Sequence, residues 1–157
     1  MKDKRALQAE LVARLEAELK AMERTQRATV EAMTHEQARP ENDKDTRALE
    51  QSYLARGQAQ RVEELRVAVD ETKAMTLREF ADGAPIGVSA LVTLEDERGP
   101  QHVFVTIHGG GEQLSTDVRV VTTRAPLGQA LIGKCTGDEV ELTQAGRGRT
   151  LVILSVR

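Results

Sequence analysis

Three carboxylates fall within five residues in the run Arg39-Pro40-Glu41-Asn42-Asp43-Lys44-Asp45-Thr46. Carboxylate oxygens are the ligands that a hard cation such as Mg²⁺ takes, so Glu41, Asp43 and Asp45 are candidate metal ligands or water-activating groups. Lone loop carboxylates hold such an ion weakly and work best when a partner supplies the remaining ligands. The same residues also suit the start of a helix. Asn42 or Asp43 can cap it, and acids in its first turn meet the positive end of the helix dipole.

The other chemistry-bearing residues are sparse. Gly109-Gly110-Gly111 lacks the GxxxxGK[ST] spacing of a phosphate cradle and reads as a turn. His35, His102 and His108 show no metal-ligand spacing. Cys135 is the single cysteine, has no activating partner close in sequence, and reads as a small buried apolar residue. It cannot form a disulfide within the chain, which suits a reducing compartment. No nucleophile–base arrangement is assembled along the sequence.

Any work done at residues 39–46 needs elements that present them. Leu7, Leu11, Leu15, Leu19, Met22, Val30 and Met33 recur at spacings of three, four or their multiples among strong helix formers. Pro40 interrupts this pattern, because it lacks an N–H and disfavours helix at the residue before it. Leu49, Tyr53, Ala55, Ala59, Val62, Leu65 and Val69 form a second periodic run. Two helices joined by a short loop are antiparallel neighbours. Each arm has roughly 30–35 residues and so spans about 45–50 Å. A two-helix rod of this length buries a narrow seam and is better suited to reaching than to building a core. Self-association through the leucine seam is the alternative use of the same pattern.

From Gly83 onward the composition changes. Eleven of the 12 glycines and three of the four prolines lie there, which marks a domain boundary. The expected division is a helical hairpin over 1–78, a linker over 79–86 and a β domain over 87–157. Ser89–Leu94, His102–Ile107, Val118–Val121, Glu139–Leu142 and Thr150–Val156 read as strands. Gly146-Arg147-Gly148 reads as a hairpin turn. Leu127–Ile132 reads as one short helix. The fold class is α+β: a long antiparallel helical hairpin followed by a small antiparallel sheet carrying one helix.

Composition narrows the function. Aromatic residues are 2% of the chain, with no Trp, which leaves little to line a large ligand pocket. Charged residues are 30% with a net charge of −3, as on an extended solvated surface. No basic stripe suits a direct grip on duplex DNA. The N-terminus is charged, with no apolar run behind it and no segment long enough to cross a bilayer. The expected location is the cytoplasm, with no membrane partner.

The run from Ala125 to Val140 resembles the GreA/GreB family of bacterial transcription factors. There a Ser-Pro-(apolar)-x-x-Ala-Leu-(apolar)-Gly-Lys-x-x-Gly-Asp-Glu-Val segment sits in an FKBP-like C-terminal domain. The wider likeness covers nearly the whole chain: hairpin, linker, first strand Ser89–Leu94 and terminal strand. The resemblance implies that the C-terminal domain docks on the rim of the RNA polymerase secondary channel, through Pro126, Leu127, Ala130 and Leu131. Plain packing of the short helix on the sheet is the other account of those four residues. The hairpin would pass down the channel, and its tip acids would help to hold the second Mg²⁺ and activate water, so that the polymerase cleaves its own backtracked transcript. The chain would then be no enzyme and have no cofactor of its own, sharing Mg²⁺ with the polymerase site. Transcript RNA and DNA would be met only through the elongation complex, by a monomer. The resemblance implies no prolyl isomerase activity.

The tip departs from the family pattern Asp-x-x-Glu-Asn-Ala-(Glu/Asp)-Tyr. An ungapped match places Glu41 at the first acid and Lys44 at the second. A slide of three pairs Glu41-Asn42 with the family's Glu-Asn but makes the arms unequal. Two functions share the docking mode: a cleavage factor working through Glu41, Asp43 and Asp45, and a channel-occupying regulator that inhibits or modulates the polymerase without cleavage. The third reading is a self-associating coiled-coil protein.

Overall fold

The computed structural model describes residues 3–37 and 44–157. Helix α1 covers Lys4–Gln37 and α2 covers Lys44–Ala74. The side-chain amide of Gln8 reaches the carbonyls of Thr72 and Met75 at 2.9 and 2.8 Å, and Arg61 pairs with Glu18 at 2.7 Å. The partner on α2 thus falls in number as α1 advances, which makes the pair antiparallel. The chain divides into two compact units, Ala13–Asp70 and Met1–Val12 with Glu71–Arg157.

The Ala13–Asp70 unit is a two-helix coiled coil with a thin seam. Leu15, Val62, Leu65, Ala68 and Val69 are buried. The expected seam continues through Val30, Leu49 and Tyr53, but these are 49%, 56% and 62% exposed. Two helices alone cannot enclose a wide stripe, so apolar residues at helical spacing are left half in water there. Thr25, Thr29 and Thr34 return their hydroxyls to carbonyls four residues back, at 3.0–3.1 Å. These side chains are satisfied within α1 itself.

In the other unit, strands β1 (Leu91–Asp96), β2 (Gly99–Thr106), β3 (Gln113–Leu114), β4 (Val118–Thr122), β5 (Glu139–Gln144) and β6 (Arg147–Val156) form one sheet in the order β3-β4-β2-β1-β6-β5. Every pairing is antiparallel except β2–β4, which runs parallel from His102↔Val118 to Thr106↔Thr122. The chain reaches that pairing by crossing over through Gly109-Gly110-Gly111 and the two-residue β3, a strand too short to read from sequence. Pro100 sits opposite Glu95, before the β2–β4 ladder begins at His102, so its missing N–H costs no sheet bond.

Alternation places Val92, Leu94, Val103, Val105, Leu151 and Ile153 in one core with Ile86, Val140 and Leu131. Helix α3 (Pro126–Leu131) contributes Leu131 to that core, with Leu127 and Ala130 packed against it. Leu91, Phe104, Val118 and Val120 of the alternate register are also buried, as are Leu7 and Leu11 of α1. A Cβ on Gly109 would lie 2.5 Å from Leu11 Cδ1, so this glycine makes room for the helix.

The last hairpin differs from the expected Gly146-Arg147-Gly148 turn. Ala145 (φ 51°) and Gly146 (φ 75°) form a two-residue turn, and Arg147 and Gly148 already pair with Gln144 and Thr143. Positive φ at both central positions matches the twist of a tight hairpin. Alanine in that conformation is sterically disfavoured, which hides the turn from sequence reading.

Candidate functional site

The segment that carries the family likeness is a helix and a turn built by backbone geometry. Pro126 occupies the first turn of α3, where a missing N–H is harmless. Gln129 N donates to Ala125 O at 2.9 Å and Ile132 N to Gly128 O at 3.0 Å. Gly128 is buried, and a Cβ there would stand 1.8 Å from Thr122 O. Gly133 (φ 83°) then turns the chain, and its N–H donates to Ile86 O while Ile86 N donates to Lys134 O. Gly137 (φ 92°) makes the next bend. Asp138 closes it, its carboxylate accepting from Cys135 N at 2.8 Å and its own N–H donating to Cys135 O at 3.0 Å. The Gly-Lys-Cys-Thr-Gly-Asp run is therefore accounted for by two left-handed glycines and an aspartate that caps a turn.

The four residues expected to dock differ in what they can offer. Pro126 is exposed, Leu127 and Ala130 are half-buried, and Leu131 is 0% exposed. Leu131 therefore serves the core, and only Pro126 and the outer parts of Leu127 and Ala130 are left accessible on this helix face. Ile132, just after α3, is 40% exposed and adds apolar surface beside them that the sequence did not single out.

At the other candidate site, Glu41 and Asp43 lie outside the described residues, as does the run 38–43 as a whole. Asp45 stands in the first turn of α2, after Lys44. Among the described residues no group of three His, Cys, Asp or Glu side chains could hold a metal ion. Cys135 is half-buried instead of buried. His102 Nδ1 lies 3.1 Å from Thr93 Oγ1 and His108 Nε2 lies 2.7 Å from Glu71 Oε2, so two of the histidines have local structural partners.

A polar clasp near the start of α1 was not legible in the sequence. Lys4 Nζ donates to the carbonyls of Arg78 and Ser89, and Ser89 Oγ accepts from Arg78 N at 2.8 Å. Ser89 is fully buried at φ 72°, a conformation held by these bonds and by its own N–H to Val105 O. Two cations lie over the Phe80 ring, Lys4 Nζ at 4.9 Å and the Arg78 guanidinium at 5.0 Å from its centre. Burial pushes the Lys4 ammonium below its usual pKa, against the pull of Glu79 and with the repulsion of Arg78. Glu10 accepts from Ser115 N and Oγ, both at 2.8 Å. The hydrogen-bond partners of Lys4 and Glu10 lie 74 to 105 residues away in the chain, beyond the reach of local patterning.

The described chain is thus a helical hairpin joined to a sheet domain that carries one short helix. Residues 83–157 match the family described as transcription elongation factor GreA/GreB, C-terminal. The chain is 35% identical over 111 residues to the transcription elongation factor GreA of Beijerinckia indica, covering 66% of this chain and 68% of that one. It is 28% identical over 153 residues to GreA of Rhodospirillum rubrum, covering 93% and 92% of the two chains. Among solved structures it is similar to GreA factor homolog 1 of Thermus thermophilus, at 19% identity and a TM-score of 0.41, over 93% of this chain and 94% of that one. The chain belongs to the GreA/GreB family, and it is a non-catalytic accessory factor. No described helix is long and apolar enough to cross a membrane.

Proposed function

We propose that this chain binds RNA polymerase at the rim of the secondary channel and regulates it from inside that channel without stimulating transcript cleavage. Membership in the family supports the partner. In this reading 87–157 dock through Pro126, Leu127 and Ala130, with Leu131 holding their helix in place. Residues 1–78 enter the channel, and 79–86 join the two. The factor acts as a monomer in the bacterial cytoplasm and meets RNA and DNA only through the elongation complex.

The observation that carries the direction of the effect is Lys44. An ungapped match puts it where the family pattern has its second acid. An ammonium among tip carboxylates repels a divalent cation or neutralises a neighbour, and either weakens a Mg²⁺ ligand set. The second reading is cleavage stimulation, supported by Glu41, Asp43 and Asp45 within the same short run. In it these carboxylates complete the coordination of the polymerase's own Mg²⁺.

A purified, backtracked elongation complex separates the two. Slower nucleotide addition with the RNA 3′ end intact is the expected result. Shortening of the transcript that depends on Glu41, Asp43 or Asp45 would establish the second reading. No binding to polymerase would remove both.

A further inference from the structure

The turn Glu97-Arg98 and the hairpin turn Ala145-Gly146 emerge at the same end of the sheet, because β1 and β6 are antiparallel neighbours with Glu95 opposite Val152. Between them is an open cleft of about 470 Å³. We propose that this cleft binds an oligophosphate, either pyrophosphate or the polyphosphate chain of a nucleotide, through Arg98, Arg147 and Arg149, which line it.

The chain as a whole carries a net charge of −3, yet three arginines converge here. Two acids, Asp96 and Glu97, also line the cleft. Asp96 is already committed. Its side chain is 5% exposed, it accepts from Arg149 Nε and Nη2, and it accepts from Arg98 N at 2.9 Å. That pairing holds the Arg149 guanidinium in place at the lining of the cleft. Arg98 and Arg147 are exposed, so Glu97 alone opposes their charge within the lining.

The kind of cation also matters. A guanidinium offers a planar fork of N–H donors that matches two phosphate oxygens at once, which an ammonium does not. Gln144 and Thr150 add neutral donors at the wall. No aromatic side chain lines the cleft. Single-stranded nucleic acid is gripped by stacking its bases on aromatic rings, so the lining reads phosphate and not base. The volume lies within the range of small-molecule sites, enough for the polyphosphate chain of a nucleotide.

The inference stands apart from the polymerase reading, and its test uses the isolated full chain. Amide spectra are recorded during titration with inorganic pyrophosphate, with ATP and GTP, and with a single-stranded oligonucleotide, at low salt. Pyrophosphate and both nucleotides should move the amide signals of Arg98, Arg147 and Gly148, with no preference between the two bases. The double variant Arg98→Gln, Arg147→Gln, with an unchanged circular dichroism spectrum, should bind roughly tenfold more weakly or worse, since charge-assisted bonds are lost. Glu97→Gln should bind more tightly than the wild type. No shift with millimolar pyrophosphate overturns the proposal, as does unaltered affinity in the double variant. An oligonucleotide that binds with a base preference while pyrophosphate does not would also overturn it.

Discussion

A first side-chain carbon on Gly128 would stand 1.8 Å from the carbonyl oxygen of Thr122. The obstacle is backbone, so it cannot rotate away. Helix α3 therefore sits on the end of β4 at a distance that only glycine permits, and this closeness presses Leu131 into the core. Gly128→Ala should destabilise the β domain by about 3 kcal/mol, the upper end of ordinary overpacking costs. A urea titration followed by a β-sheet signal checks this. A midpoint equal to that of the wild type would show that α3 shifts freely.

Gly57 is the opposite case. It lies inside α2, it is exposed, and an added Cβ would meet nothing within 4 Å. Glycine inside a helix costs stability through the freedom of the unfolded chain, with no compensating contact here. Gly57→Ala should raise the stability of the helical unit by about 0.5–1 kcal/mol. The measurement is the denaturation midpoint of the helical circular dichroism signal. A drop in that midpoint would mean that the helix needs its glycine.

These two glycines also show what the sequence could and could not disclose. Both are invisible as opposites in the chain of letters, because the contact that separates them joins Gly128 to a residue on another element. The helices were legible from Leu7, Leu11, Leu15, Val62, Leu65 and Val69, whose spacing matches their burial. Leu49 and Tyr53 obey the same spacing yet remain exposed, since periodicity reports a face and not whether a partner covers it. The strands were legible from alternation, but the parallel β2–β4 pairing was not, because alternation carries no direction. In the segment proposed to dock, the helix was foreseen. That Leu131 faces inward while Ile132 faces out depends on where α3 meets the sheet.

Asp96 supplies a pH dependence with a defined sign. The Arg98 backbone N–H holds its carboxyl below the ordinary 3.8; desolvation pushes the other way, and the Arg149 guanidinium adds to the lowering. A carboxyl that is more acidic in the fold binds fewer protons there than in the unfolded chain. Its stabilisation is thus complete above 3.8 and is lost as the pH falls through the lowered folded value. The stability gap between the wild type and Asp96→Asn should therefore narrow on acidification, read as denaturant midpoints from about pH 5 to pH 2. A gap that is constant over this range would assign the effect of Asn to packing alone.

The tip carries the prediction that decides function. If Lys44 is what keeps Glu41, Asp43 and Asp45 from completing a Mg²⁺ site, then Lys44→Glu restores a carboxylate at the position where the family pattern has one. It also exchanges a repulsive charge for an attractive one, a change of two units beside a divalent ion. On a backtracked elongation complex the wild type should slow nucleotide addition and leave the RNA intact, whereas Lys44→Glu should shorten the transcript by roughly tenfold or more above the intrinsic rate, the size of effect that one added charge-stabilising group brings to a reaction. The gain should depend on Mg²⁺ concentration and disappear when Glu41 is also replaced by Gln. Polymerase binding, followed separately by competition for the channel rim, should be the same for both proteins. Cleavage by the wild type at the rate of the variant would show that Lys44 is silent and that the neighbouring acids already suffice. Binding without cleavage by either would locate the block in the reach of the hairpin and not in the charge of its tip.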